Sequence, residues 1–399
     1  MACPRSSACP DRPIQRGISG SRQRWLAATL ACALLACVLV SARAGLHPPA
    51  SQRVETTPYT GPKLLFGLGP EADVARASAL VRSSPVRMLT SWYNGPADFE
   101  WLKTWQTQEI PLDYLDGYAM HLIVFADGPE VPLNTRYGIA CGRSYPLADR
   151  FLGDMRRLAE TFAGDGGGPP LYVTLFTEFQ TYPCRDSAWA PDPATRAYYR
   201  ALQDRYRATL KIFHRLAPNA QVSLGWGGWQ TRWDDRAQGG GRSMFCHFAN
   251  VMSASDFQSF QAMESQGNAD DVAAMTRTLG AYGPVMLAHL KPDNGSQATF
   301  DADVRAILTV PSLRQLQRYG LFALSFMDTV NLDARPETLD FVERSVNRFG
   351  IRSSTDPRLP SISPRARSAQ RAPRAERRGP RARTRAGRGS CPGQARRDS

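Results

Sequence analysis

Eight short apolar runs of six to eight residues, spaced along residues 63–327 with amphipathic stretches between them, restrict the possible folds most. The runs are Lys63–Leu68, Val86–Ser91, Tyr118–Phe125, Leu171–Phe176, Gln221–Trp226, Asp256–Met263, Val285–Leu290 and Leu321–Met327. Strands of a parallel sheet covered on both faces read as such continuous runs, not as alternating ones. The intervening stretches carry helical spacing. Tyr199, Leu202, Tyr206, Leu210 and Phe213 recur at steps of three or four, and Ala217-Pro218-Asn219 ends that helix. Further helices are expected over Glu71–Arg82, Ala97–Gln106, Leu147–Phe162, Ala269–Leu279, Phe300–Leu316 and Pro336–Phe349, with a long loop ahead of the third. Eight such alternations predict an α/β chain folded as a single closed (β/α)8, or TIM, barrel over residues 63–351. A doubly wound open sheet is the alternative. Against it, Gly67-Leu68-Gly69-Pro70 stops short of a dinucleotide-binding turn, and Pro70 removes an amide that a phosphate would need.

The net charge of +13 points at first toward nucleic acid, but its placement does not. From Ile351 onward the chain holds fourteen arginines against three acids, and the first sixty residues add about +5, which leaves the middle slightly acidic. The Arg/Pro/Ala-rich tail, residues 352–399, lacks apolar residues to fold and aromatic residues to stack bases, so no specific nucleic-acid partner is expected. At the other end, Arg12, Arg16, Arg22 and Arg24 precede an apolar run from Trp25 to Ala42, the form of an export signal. Three readings of residues 1–44 compete. Ala42-Arg43-Ala44 fits cleavage before Gly45, Leu34-Leu35-Ala36-Cys37 resembles a lipobox, and the apolar run is long enough to remain as a membrane anchor. All three place the globular part outside the cytoplasm, beyond a linker over residues 45–62. Cysteine usage agrees: no Cys-x-x-Cys occurs, and Cys141 and Cys184, in loops after consecutive strands, could bridge in an oxidising compartment or remain free thiols.

In such a barrel the chemistry sits at the C-terminal strand ends and the loops that follow. Those ends deliver Trp92-Tyr93-Asn94, Asp127, Thr177-Glu178-Phe179-Gln180, Trp226-Gly227-Gly228-Trp229-Gln230, Glu264, His289 with Lys291 and Asp293, and finally Asp328 with Asn331. Five histidines with no His-x-His or His-Glu-x-x-His pair disfavour a metal hydrolase, and the lack of Gly-x-Ser-x-Gly disfavours a serine hydrolase. Carboxylates beside tryptophans remain. Sugars stack their C–H faces on indole rings, and glycosidic cleavage needs one protonated and one ionised carboxyl.

On these residues the chain resembles the TIM-barrel glycoside hydrolase superfamily, in those members whose acid/base is a Glu ending barrel strand four. The resemblance covers roughly Lys63–Gly350 and gives Glu178, in VTLFTEFQ, the acid/base role. It implies no cofactor and a polysaccharide or oligosaccharide substrate. Thr177 stands where the commonest retaining group has Asn, and LAHLKPDNG ends strand seven without the nucleophilic Glu of that group. The second carboxylate is then expected at Glu264, followed by Asp293 or Asp328. Trp92, Tyr93, Asn94, Gln180, Trp226, Trp229 and Asp328 are the expected substrate contacts. Each has a plainer reading. Glu178 could pair with Arg185, Asp293 lies in the turn sequence Pro-Asp-Asn-Gly, and the tryptophans could serve packing alone. A non-catalytic sugar-binding barrel and a tethered envelope protein without a cleft are the rival functions.

Overall fold

The computed structural model describes residues 63–126, 128–184, 192–234, 244–357 and 359, all within the compact unit Tyr59–Ser399. The expected export segment, linker and most of the basic tail lie outside them, as do Asp127 and Arg185. The strands in chain order are β1 (Leu65–Leu68), β2 (Val86–Tyr93), β3 (Ala119–Val124), β4 (Glu130–Thr135), β5 (Gly138–Arg143), β6 (Leu171–Leu175), β7 (Ala220–Gly227), β8 (Gln258–Ala262), β9 (Val285–Leu290) and β10 (Leu321–Phe326). Eight of them close a parallel barrel in the order β1-β2-β3-β6-β7-β8-β9-β10, with β10 returning to β1. The expected fold is therefore the observed one.

Period-two alternation along these buried strands sorts side chains between the helix layer and the barrel interior. Outward residues such as Leu89, Leu122, Val173, Leu224, Phe260, Leu287 and Leu324 join the main core beneath the helices. The interior is layered. Its floor is apolar: Leu65, Met88, Ala119, Tyr172, Phe257, Met286 and Ala323, closed by Ile351. Ile351 is held there because its amide donates to the Leu64 carbonyl (2.9 Å).

Above the floor lies a polar layer. His121 places Nδ1 3.3 Å from Thr90 Oγ1 and Nε2 2.9 Å from Thr174 Oγ1, while Thr90 meets Ser325 (3.1 Å) and Thr174 meets Ser259 (3.1 Å). Two of these contacts jump over an intervening strand, and glycine makes the room. A Cβ at Gly67 would lie 3.0 Å from Ser325 Oγ, and one at Gly225 would lie 2.9 Å from Thr174 Cγ2. All five polar residues are buried, so their mutual hydrogen bonds offset the cost of removing them from water.

Several helices differ from expectation for local reasons. Glu71–Arg82 forms two helices, Ala72–Ala77 and Ala79–Ser83, because Ser78 Oγ caps the second by accepting from the Val81 amide (3.2 Å). Phe300–Leu316 also divides, into Gln297–Ile307 and Val310–Arg318, where Pro311 enters the first turn and Thr309 caps it. The helical segment expected to stop at Gln106 runs on through a π-turn, Trp105–Glu109, to Leu115.

The long loop after β3 contains an antiparallel hairpin, β4 with β5. Cys141 of β5 is joined to Cys184, in the loop after β6, by a disulfide. That loop runs alongside β5 as a partial third strand: Arg143 N donates to Tyr182 O (3.0 Å) and Gly142 bridges Pro183. A covalent link spanning 43 residues should stabilise by about 2–4 kcal/mol. A Cys141→Ala/Cys184→Ala variant is thus expected to melt several degrees below the parent in a thermal scan, and an unchanged midpoint would show the link to be idle. No described helix is long and apolar enough to cross a membrane.

Candidate active site

Glu178 is set into the barrel mouth by a sharp backbone reversal. Phe176 and Glu178 both adopt the left-handed region (φ 57° each), which is rare for residues with a side chain and costs about 1–3 kcal/mol apiece. The anchors that enforce it are aromatic. Phe176 stacks on Phe151 (5.6 Å), and Phe179 wedges against Trp226 and Phe248 (both 4.6 Å) in the helix layer. Between these two anchors the chain turns Glu178 the other way. Tyr182 steadies the turn by donating to Thr177 O (2.9 Å) and accepting from Ala126 N (3.1 Å).

The Glu178 carboxylate accepts a hydrogen bond from Gln261 Nε2 of β8. This bond also passes over β7, whose inward positions are Ser223, Gly225 and Gly227. A Cβ at Gly225 would lie 3.0 Å from Thr177 Cα, and one at Gly227 would meet Gln180 Nε2 and the Trp229 ring. Glycine is needed at both positions for close approach. Burial pushes the Glu178 carboxyl above the usual Glu value. The Gln261 bond and Arg143 pull it back, while Asp293 and Glu264 push it the same way as burial.

Of the three candidates for a second carboxylate, the structure separates the free from the committed. Asp328 is bound to Lys291 Nζ and accepts from Val330 N (3.0 Å). Glu264 lies 3.5 Å from Arg232, whose guanidinium is already bidentate on Asp271 (2.9 and 2.8 Å), and its backbone is clamped by Asn268. Asp293 is exposed in the turn Pro292–Gly295, and its carboxylate makes no hydrogen bond or ion pair among the described residues. The turn reading of Asp293 is realised.

The aromatic and amide candidates divide by strand parity. Trp92 faces inward and lies flat on His289 of β9, with ring centroids 4.7 Å apart and planes 5° apart. Trp229 is half-buried over Gly227, its ring 5.8 Å from that of Trp233. Two expected substrate contacts lie on the opposite face. Trp226 points outward and is fully buried among Phe179, Phe245 and Phe248. Tyr93 also points outward and meets the Tyr145 hydroxyl (2.6 Å) under the helices. Their position one step from Gly227 and Trp92 explains the correction, since parity in a strand reverses at each residue. Gln180 is buried and accepts from Gly227 N (3.2 Å), so it holds β7 in place, and Asn94 binds Asp98 in an exposed turn.

Gln261, Arg232 and Arg143 were not expected at the site. The signal for Gln261 was available in Ser259-Phe-Gln-Ala262, where inward polar residues alternate with outward apolar ones. Among the described residues no cluster of three or more His, Cys, Asp or Glu side chains could hold a metal ion.

The fold and mouth define a (β/α)8-barrel protein with an acid-bearing site. No protein-family profile matches the chain, and no curated protein sequence does. Solved structures similar to it include the YdhT protein from Bacillus subtilis (12% identity, TM-score 0.45, 68% of this chain and 82% of that one). A second is the Bacillus subtilis mannanase man26 (12%, TM-score 0.43, 69% and 83%). A third is a fungal β-1,4-galactanase (12%, TM-score 0.43, 67% and 89%).

Proposed function

We propose that this protein is an extracytoplasmic glycoside hydrolase that cleaves a polysaccharide, with Glu178 as general acid and Asp293 as the second carboxylate. The observation that carries the reading is Glu178 itself. It is a carboxyl raised by burial at the end of the fourth barrel strand, forced into the mouth by a left-handed turn, with two further carboxylates acting on it. A carboxyl raised above the usual Glu value holds its proton to higher pH than an ordinary Glu and can give it to a leaving oxygen. Asp293 takes precedence over Glu264 because it is uncommitted, whereas Glu264 is engaged by Arg232. The Cys141–Cys184 link supports an oxidising location.

The test is reducing-end release from a panel of bacterial and plant polysaccharides. It compares the parent with Glu178→Gln, Asp293→Asn and Glu264→Gln. Release by the parent that vanishes in the first two variants is the expected pattern. If Glu264→Gln is inactive and Asp293→Asn is not, Glu264 takes the second role.

A sugar-binding barrel without hydrolysis is the second reading. It is favoured by His289, not a carboxylate, facing inward at the end of the seventh barrel strand. Polymers that raise the melting temperature without being cleaved would establish it.

A further inference from the structure

Trp92 and His289 stand on β2 and β9, which β1 and β10 separate around the barrel, so their stacked contact crosses the interior. His289 is completely buried, yet neither ring nitrogen has a hydrogen-bond partner among the described residues. His121, in the polar layer, is by contrast satisfied at both nitrogens. An unpaired buried polar group costs about 1–3 kcal/mol, and proteins retain few without a reason.

Unpaired buried atoms occur in many parts of the chain, and some of them adjoin Glu178. Gln261, the register partner of His289, gives its Nε2 to Glu178 and leaves Oε1 unpaired. Trp92 Nε1 and Thr177 Oγ1, the latter next in sequence to Glu178, are unpaired as well. Gln261 and Thr177 thus bring unpaired polar atoms next to Glu178, and the Gln261–His289 register carries the series across to Trp92.

Charge narrows what they would receive. Lys291 is taken by Asp328, and Arg232 by Asp271 and Glu264. Arg143 lies over Phe125 and Tyr182, with Nη1 on Ala126 O (2.8 Å). Lys291 and Arg232 thus offer no uncommitted cation to a carboxylate, sulfate or phosphate substituent, and Arg143, which has no carboxylate partner among the described residues, is held against the two rings. Burial, with His121 adding in the same direction, holds the His289 imidazole neutral, so one nitrogen donates and the other accepts. A sugar hydroxyl, which also does both, is its complement.

We propose that His289, held flat against Trp92, reads a hydroxyl of a neutral sugar lodged beside Glu178. The proposal rests on the hydrolase reading for its substrate class and adds the residue that sets specificity for an uncharged unit.

The test is ring-nitrogen NMR of the full chain. The His289 signal is assigned by its loss in His289→Asn or, should that variant not fold, by the shift of its ring protons in Trp92→Phe. The probes are glycerol at molar concentration, D-glucose, D-mannose and D-galactose, with inorganic phosphate as the charged arm. The expected result is a neutral ring at and above the ordinary imidazole value of 6.5, up to pH 8, that responds to at least one polyol and not to phosphate. A ring that protonates in that window, follows phosphate, or ignores every polyol overturns the proposal. Polysaccharide release with an unresponsive ring sinks this inference alone. A responsive ring with no release sinks hydrolysis and keeps His289 as a sugar contact. On a cleaved substrate, His289→Asn should lower kcat/KM by about three- to tenfold, the worth of one neutral hydrogen bond.

Discussion

Glu178→Gln is expected to abolish activity and, at pH 7, to raise the melting temperature. The activity loss should be about 10²- to 10⁴-fold, the usual worth of a general acid. The stability gain follows from the direction of the pKa shift. The folded state holds the Glu178 proton more tightly than the unfolded chain does. Below the unfolded value both states are protonated and the residue is neutral in effect. As pH rises through the folded value, the unfolded chain gains the advantage of ionising in water, and stability falls. Glutamine keeps the shape and does not ionise, so it removes that penalty above the carboxylate range and changes nothing near pH 3. Melting curves of parent and variant should therefore converge in acid and part at neutrality. A variant less stable than the parent at pH 7 would mean that the Gln261 bond outweighs burial, and Glu178 would then lose its standing as a proton donor. The same shift places the basic limb of the activity profile above the ordinary Glu range.

Trp226→Ala and Trp229→Ala are expected to fail in different ways. Trp226 is enclosed by Phe179, Phe245 and Phe248, and truncating it leaves a cavity worth about 3–5 kcal/mol. In a domain of this size that is a fall of roughly 6–20 °C in Tm. The anchor for Phe179 would go with it, and with that the turn that aims Glu178. Trp229 is half-exposed and rests on Gly227, so its loss should lower Tm little and weaken saccharide binding instead. Differential scanning calorimetry, paired with binding of a cleaved polymer, separates the two. Equal stability losses would return both rings to the core.

The barrel was legible because its strands are buried on both faces and bounded by turn residues, so each stood out as a run. Val285–Leu290 was read with its observed ends. The hairpin was not legible. Glu130–Thr135 alternates exposed with half-buried positions and carries Pro132, so it reads as loop until paired with β5. Glu178 was readable as the charged residue closing a buried strand. Trp226 was misplaced because proximity to the mouth was weighed and parity was not. The repeated small residues Ser223, Gly225 and Gly227 already mark the inward face of β7 and put Trp226 on the other. The choice between Glu264 and Asp293 was beyond sequence, since the contacts of Arg232 with Glu264 and with Asp271, on a separate helix, could not be read from it.

The loop that carries the acid is tied by Cys184 and Tyr182 to the hairpin, an appendage that forms no part of the barrel wall. Only six positions separate Glu178 from that covalent tie. The barrel thus supplies the platform, while the hairpin, through its disulfide, restrains the loop that presents Glu178. Chains that keep these eight strands but lengthen, shorten or lose the insert would inherit the same cleft with a differently mobile proton donor. Grafting the hairpin together with both cysteines is accordingly the smallest transplant that would carry this setting of the acid to another barrel.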